Sequence, residues 1–328
     1  MNNKFITQLF LLLTAIFNIN YASNAQDIND KRNDLEKASL KGKIMSYKES
    51  TFLTKDKFGE VMKGELKNNP RLWKFNKNGF KTEVLFVRLS TGVQMKLEIC
   101  TYDEHENFSK LELFEEYVSE GLRPSTTFIM KYDNNNNMIE KNEYNQEGDL
   151  RTKWIYTYNS SNKLNEVIEF DGRRYDDGGN FSSRKQYQYN NYGKVSSEIE
   201  FESLGSSVGN KTNYFYDSRG NLLYQVNKYN TKKNISKYND KNQLIEFQES
   251  DSYNKYKYKY DDRGNMIEAF EYKIEYNYKN NISVQEEVLV EKIFYQYKYD
   301  EKGNWTQRMK TVNVIPTEII EREITYYE

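Results

Sequence analysis

Polar and apolar positions alternate with a period of two along most of this chain. From Lys255 to Tyr260 the order is Lys-Tyr-Lys-Tyr-Lys-Tyr, and Tyr156-x-Tyr158, Tyr187-x-Tyr189, Tyr214-x-Tyr216 and Tyr295-x-Tyr297-x-Tyr299 repeat the pattern. Successive side chains of a strand point to opposite faces, so each stretch predicts a strand with an aromatic face and a polar face. Tyr, Phe, Val, Ile and Thr suit such strands. Pro occurs only at Pro70, Pro124 and Pro316, which fits a chain made of paired strands.

Punctuation between the strands is regular. Eleven times an aromatic residue (Phe75, Tyr102, Tyr132, Tyr144, Tyr158, Tyr175, Tyr189, Tyr216, Tyr238, Tyr260, Tyr299) is followed by Asp or Asn. Three residues further on stands Gly or Asn in every copy but one, where it is Glu106. Gly and Asn tolerate a positive φ, so each copy predicts a type I turn closed by a left-handed residue. The acidic or amide side chain opens the turn by accepting a backbone N–H two residues on. Asp217 and Gly220, Asp261 and Gly264, and Asp300 and Gly303 are the clearest such pairs. Two positions after the left-handed residue the chain is apolar, with Lys81 the exception.

Gaps of 12 and 14 residues between copies (Tyr132 to Tyr144, Tyr144 to Tyr158) hold one strand each. Gaps of 22 (Tyr216 to Tyr238, Tyr238 to Tyr260) hold two strands and an extra hairpin, with tips near Thr231–Lys233 and Asp251–Asn254. The expected fold is all-β: an elongated antiparallel meander of about twenty strands, curled or coiled as an open sheet, because each strand pair adds about 20° of twist.

The ends and composition refine this. Lys4, the apolar run Leu9–Ile19 and the small residues Ser23-Asn24-Ala25 predict an export signal over residues 1–25, cleaved before Gln26. Residues 26–39 read as a charged linker or short helix, and 40–328 as a single repeat domain. No transmembrane segment is expected after cleavage. Net charge is −1, which gives no field for nucleic acid or anionic lipid. The single cysteine, Cys100, excludes an intrachain disulfide. Mean hydropathy is −0.96, so the 29 tyrosines must supply much of the packing.

The eleven copies, above all YDSRGNLL, YDDRGNMI and YDEKGNWT, resemble the YD repeats of the RHS family from about Leu72 onward. The closing YDEKGNWTQRMK and REITYYE resemble the end of short exported bacterial proteins of this type. The resemblance implies a β-repeat fold in a cell-envelope or extracellular setting, with a loose association with carbohydrate binding. In large RHS toxins it would imply a shell around a C-terminal toxin. This chain instead ends in strand-like sequence at Thr325-Tyr326-Tyr327, so toxicity does not carry over.

No motif requires chemistry, and no cofactor is expected. The only histidine, His105, falls inside a turn, and neither it nor Cys100 has a sequence partner for nucleophilic catalysis. A two-carboxylate glycosidase stays open in principle, although the repeated aspartates are already explained as turn openers. The oxygen-rich loops Asp176–Asn180 and Asp133–Asn137 lack calcium-ligand spacing, so no metal is expected. The tyrosine ladder has two readings: cross-strand packing, or an exposed aromatic face for sugar rings at Tyr256, Tyr258, Tyr260, Tyr297, Tyr299 and Trp305. The expected function is a non-enzymatic exported scaffold or binding protein, with a glycan or an envelope protein as partner. The alternative is a carbohydrate-binding or carbohydrate-processing protein.

Overall fold

The computed structural model describes residues 32–115, 124–172, 180–203, 206–227, 234–249, 253–279 and 282–328. The expected signal, the Tyr175 copy, the proposed tip at Thr231–Lys233 and the first two residues of the tip at Asp251–Asn254 lie outside them. A four-residue helix, α1 (Asp34–Lys37), is capped by Asn33, whose side chain accepts from Glu36 N–H while the Glu36 carboxylate accepts from Asn33 N–H.

Twenty-one strands follow among the described residues. They are β1 (Ile44–Lys57), β2 (Glu60–Leu66), β3 (Arg71–Phe75), β4 (Lys81–Val87), β5 (Gln94–Tyr102), β6 (Phe108–Leu113) and β7 (Thr126–Tyr132). Next come β8 (Met138–Asn145), β9 (Leu150–Tyr158), β10 (Leu164–Asp171), β11 (Asn180–Tyr189), β12 (Val195–Phe201), β13 (Asn210–Tyr216) and β14 (Leu222–Asn227). The last are β15 (Asn234–Tyr238), β16 (Leu244–Gln248), β17 (Asn254–Tyr260), β18 (Met266–Lys279), β19 (Ile282–Tyr299), β20 (Trp305–Val312) and β21 (Ile315–Tyr326).

From β3 to β21 every strand pairs antiparallel with its sequence neighbours. β1 then pairs with β21 through Ile44–Leu53 and with β3 through Ser46–Glu49. The sheet therefore closes on itself. The antiparallel meander is as the sequence predicts, but the expected open, elongated sheet is corrected to a closed barrel. Closure removes both edges, whose unpaired N–H and C=O groups an open sheet would leave exposed.

A ring with only antiparallel pairs needs an even number of strands, since direction must alternate all the way round. β2 resolves the odd count. It turns back from β1 through Phe58 and Gly59, with φ 58° and 83°, the type I′ hairpin geometry. It then pairs only with Phe52–Lys57 of β1, beyond β3 on the same edge. Twenty of the 21 strands form the wall.

All ten described copies of the repeat make the expected turn. At Asp261, Gly264 N–H donates to Asp261 O and Asp261 N–H donates to Asn265 O. Asp261 Oδ1 accepts from Arg263 N–H, two residues on, and from Asn265 N–H, four on. The left-handed residue has positive φ in each copy, including Glu106 at 62°. The turn imposes that conformation even where the residue type disfavours it. An extra residue follows on the next strand, as between Lys259 and Tyr260, where the register shifts.

Nine of these turns join an odd strand to the next even one and so lie at one rim; the Tyr144 turn, between β8 and β9, lies at the other. At the left-handed site, three asparagines do work that glycine cannot. Asn136, Asn162 and Asn242 Oδ1 accept from Asn107, Asn137 and Asn221 of the preceding turn at 3.1, 2.7 and 2.9 Å.

At Gly264, with φ 89°, a Cβ would stand 3.3 Å from Gln243 Nε2. Gly264→Val should cost about 1–2 kcal/mol or more, because a β-branched side chain collides with the carbonyl in this conformation. Gly264→Asn should change stability little. Thermal melts of the two variants check this, and equal shifts would contradict the turn geometry.

Candidate functional site

The turn aromatic and the residues two and four before it share one face of each odd strand. Stacked around the ring, they form three tiers. The first is the turn aromatics themselves. The second includes Trp73, Met130, Tyr156, Tyr187, Tyr214, Tyr258 and Tyr297, and the third includes Phe128, Trp154, Tyr256 and Tyr295. Tyr156, Tyr187, Tyr256, Tyr258 and Tyr295 are all buried. The main contacts between elements run between hydrogen-bonded neighbours, so these side chains are buried against one another, and the concave side of a closed wall is where they crowd together.

The hydroxyls are committed as well. Seven consecutive rim tyrosines donate to the carbonyl two residues past the left-handed site of the preceding rim turn. They run from Tyr102 to Lys81, Tyr132 to Phe108, Tyr158 to Met138 and Tyr189 to Leu164. Tyr216 to Val195, Tyr238 to Leu222 and Tyr260 to Leu244 continue the series. In the next repeat Tyr297 takes this role on Met266 O, and Tyr299 donates to Asp261 Oδ2. Tyr327 closes the circle on Phe75 O at 2.6 Å.

Where β21 meets β1, a strap of residues 33–41 replaces the missing tenth turn. Asn33 Nδ2 donates to Asn78 O, Leu35 N–H donates to Gly79 O, and Asp34 Oδ2 accepts from Lys81 N–H and lies 3.2 Å from the Tyr102 hydroxyl oxygen. Lys41 N–H donates to Asn304 Oδ1, and Asn304 Nδ2 donates back to Lys41 O. Leu35, Ile44 and Phe75 form a buried cluster beneath it.

All six residues of the candidate aromatic site come together. Tyr256, Tyr258, Tyr260 and Tyr297 pack in one cluster with Ala269, Ile293 and Tyr295. Tyr299 stacks on Tyr297 at 6.0 Å, and Trp305 meets the Tyr297 edge at 6.2 Å. Arg322 lies 3.4 Å from the Trp305 ring centre and donates to Glu49 at 3.0 Å. Tyr256 and Tyr258 expose only 7% and 8% of their surface, so their rings serve as packing.

The paired turn residues Asp217 and Gly220, Asp261 and Gly264, and Asp300 and Gly303 sit at the same rim. Hydrogen bonds from the Asn221 side chain and main chain hold the Asp217 carboxyl low. Burial alone would raise Asp261 and Asp300, but hydrogen bonds from the Tyr299 and Tyr326 hydroxyls and from turn N–H groups bring both below the ordinary value. These carboxylates anchor their turns.

Other candidate groups are similarly occupied. Cys100 is buried, and burial pushes its thiol up to about 12. The His105 side chain is exposed, and its main-chain N–H donates to Asp103. Lys141 is a buried cation the alternation did not flag: its ammonium sits 4.6 Å from the Phe128 ring and 4.7 Å from Trp154, and burial brings it down to about 8. Register explains it, since Lys141 lies opposite Trp154 on β9 and Met130 on β7. No cluster of metal-ligating side chains occurs among the described residues.

The outer face is charged. Lys74–Glu83, Lys131–Glu140, Lys237–Glu246, Lys259–Glu268 and Lys48–Glu323 are directly opposed cross-strand pairs, 2.7 to 3.1 Å apart. Burial would raise Glu140, but hydrogen bonds from Lys131, Asn142 and Lys153 bring it down to about 2. At the rim opposite the nine turns, Ser125, Thr126, Glu143, Tyr144, Asn145, Arg151 and Thr152 line a cleft of about 370 Å³.

No family model and no curated protein matches the chain. Similar solved structures include the crystal structure of TcdB2-TccC3-TEV, at TM-score 0.36 and 10% identity over 80% of this chain and 15% of that one. TcdB2-TccC3-Cdc42 gives TM-score 0.32 and 10% identity over 80% and 16%. A porin-like protein from Bacteroides uniformis ATCC 8492 gives TM-score 0.28 and 9% identity over 86% and 96%. This chain thus spans about 15% of the length of the TcdB2-TccC3 chains it matches. No helix among the described residues is long and apolar enough to cross a membrane, which says nothing of strands.

Tyr258→Ala should destabilise by about 3 kcal/mol, the scale for losing a large buried aromatic. On the opposite face, Lys257 donates to Glu287 at the surface, and Lys257→Ala should cost about 1 kcal/mol or less. Denaturant melts of both variants check the difference. A Tyr258→Ala protein as stable as the parent would contradict the packing role of the inner tyrosines.

Proposed function

We propose that this is a non-enzymatic, exported β-barrel that serves as a rigid scaffold or binding protein outside the cytoplasm. One observation carries the reading. Among the described residues, the side chains that the repeat supplies in number, tyrosines and aspartates, are engaged in the wall and its turns, and no convergent set for catalysis is found there. The YD-type repeat and the apolar, small-residue leader support export. The outer belt of Lys–Glu pairs supports a wall that faces water, because a lysine on the lipid face near mid-membrane would cost about 2–4 kcal/mol.

Carbohydrate binding is the second reading, and the cleft around Tyr144 favours it. Glu143, Arg151 and Asn145 beside an aromatic ring offer donors and acceptors suited to sugar hydroxyls.

Cell fractionation with intact-mass measurement should find a chain beginning at Gln26 outside the cytoplasm. That protein should release no reducing sugar from oligosaccharides. A full-length cytoplasmic species, or turnover abolished by Glu143→Gln, would contradict the proposal. Glycan-array binding lost in Arg151→Ala with melting unchanged would favour the second reading.

A further inference from the structure

Two arms project past the rest of the wall at the rim opposite the nine turns. β19 pairs with β20 only from Ile293 onward, yet it runs back to Ile282 beside β18. Three strands away, beyond β20 and β21, β1 runs past Leu53, its last residue paired with β21. Between them the β20–β21 hairpin turns back at Asn313 and Val314. The rim therefore has a notch. With strands about 4.8 Å apart, its walls stand about 14 Å apart, which leaves room for two more strands.

The β19 wall is an open sheet edge. Ile274 N–H donates to Tyr253 O on the β17 side, so its partner Glu287 stands at a non-hydrogen-bonded site of the β18–β19 ladder. The main-chain groups of Glu287, and by alternation those of Gln285 and Leu289, then point away from β18 into the notch. Among the described residues no strand pairs with them. The surroundings are apolar. Val288, Leu289 and Val290 are 42%, 50% and 51% exposed on this wall, and Val314 and Ile315 on the floor are 83% and 65% exposed. The inner side is acidic, with Glu271 and Glu291 directly opposed across the arm. Burial, then Glu291 and Glu249, raises the Glu271 carboxyl.

We propose that the notch takes an extended segment of a partner protein, apolar with interspersed basic residues, which adds as a strand to the β19 edge. This rests on the reading of the protein as a binding scaffold and names the surface it uses. Unpaired main-chain groups call for a strand, which a lipid surface cannot supply. A second copy of the arm would set the Glu271–Glu291 pair against acidic residues of its own kind, whereas basic side chains complement it; Glu287, on the other face, is already paired with Lys255 and Lys257.

The test uses the purified mature protein and a panel of fluorescent peptides of about 10 residues, alternating Val or Ile with Lys, Thr or Ser. At least one Lys-containing peptide should bind with Kd of about 100 µM or tighter. Methylating alternate backbone nitrogens, or replacing Lys with Glu, should weaken it by about tenfold or more. Leu289→Pro and, as a second variant, Gln285→Pro remove an outward N–H without touching the β18–β19 ladder; each should weaken binding while melting stays unchanged. The proposal is overturned if no peptide binds, or if N-methylated peptides bind equally well. It is also overturned if the protein instead forms a dimer that Leu289→Pro dissolves, or if only lipid vesicles engage the arm. None of those results would bear on export or on the absence of turnover, which are measured separately.

Discussion

The hydrogen bond from each rim tyrosine to the preceding rim turn is the contact on which the rest of the barrel depends. It fixes the ring of one repeat against the carbonyl of the last, so every turn is placed by its neighbour rather than by its own residues alone. The bond itself contributes only about 1 kcal/mol net. Its consequence is larger: a hydroxyl held at the rim fixes the phenol ring on the inner face, beside the residues two and four before it. A chain of low mean hydropathy thereby gains a continuous aromatic lining without a thick aliphatic core.

Closure is the second constraint, and it acts through parity. An antiparallel ring must contain an even number of strands, and β2 leaves the ring so that β1 can lie between β21 and β3. The seam has its own fastenings, since no repeat turn joins β21 to β1. The capped helix α1, the Asn304–Lys41 exchange and the Tyr327 bond to Phe75 take that turn's place.

Much of this was legible in the sequence. The YDxxG spacing gives each turn and its left-handed site, and the Lys-Tyr alternation of β17 gives an aromatic and a polar face; the bulge that follows each turn and the inward direction of the aromatic face came from the structure. Glu106 departs from the pattern and still adopts the turn, because neighbouring strands enforce it. Closure was not legible, since it depends on the pairing of β1 with β21, more than 260 residues apart, and no local pattern encodes that register. Lys141 was missed because its burial follows from rings on β7 and β9. The β18–β19 arm did leave a signal: Tyr260 and Tyr299 stand 39 residues apart with only two strands and one connection between them.

The inner lining, the charged exterior and the open-edged arm divide the molecule into a wall that holds shape and a rim that can engage a partner. That division rests on tyrosines sequestered on the inner face. Burial raises Tyr189, Tyr256 and Tyr260 to about 12, against about 10 in an unfolded chain. Their contribution to stability is therefore complete below about pH 10 and is lost as pH rises toward about 12. An alkaline titration that follows phenolate absorbance together with far-ultraviolet circular dichroism measures this directly. The account predicts that the buried tyrosines ionise only as the β signal collapses, in one cooperative step. Ionisation of nearly all tyrosines around pH 10 with the β signal intact would contradict it.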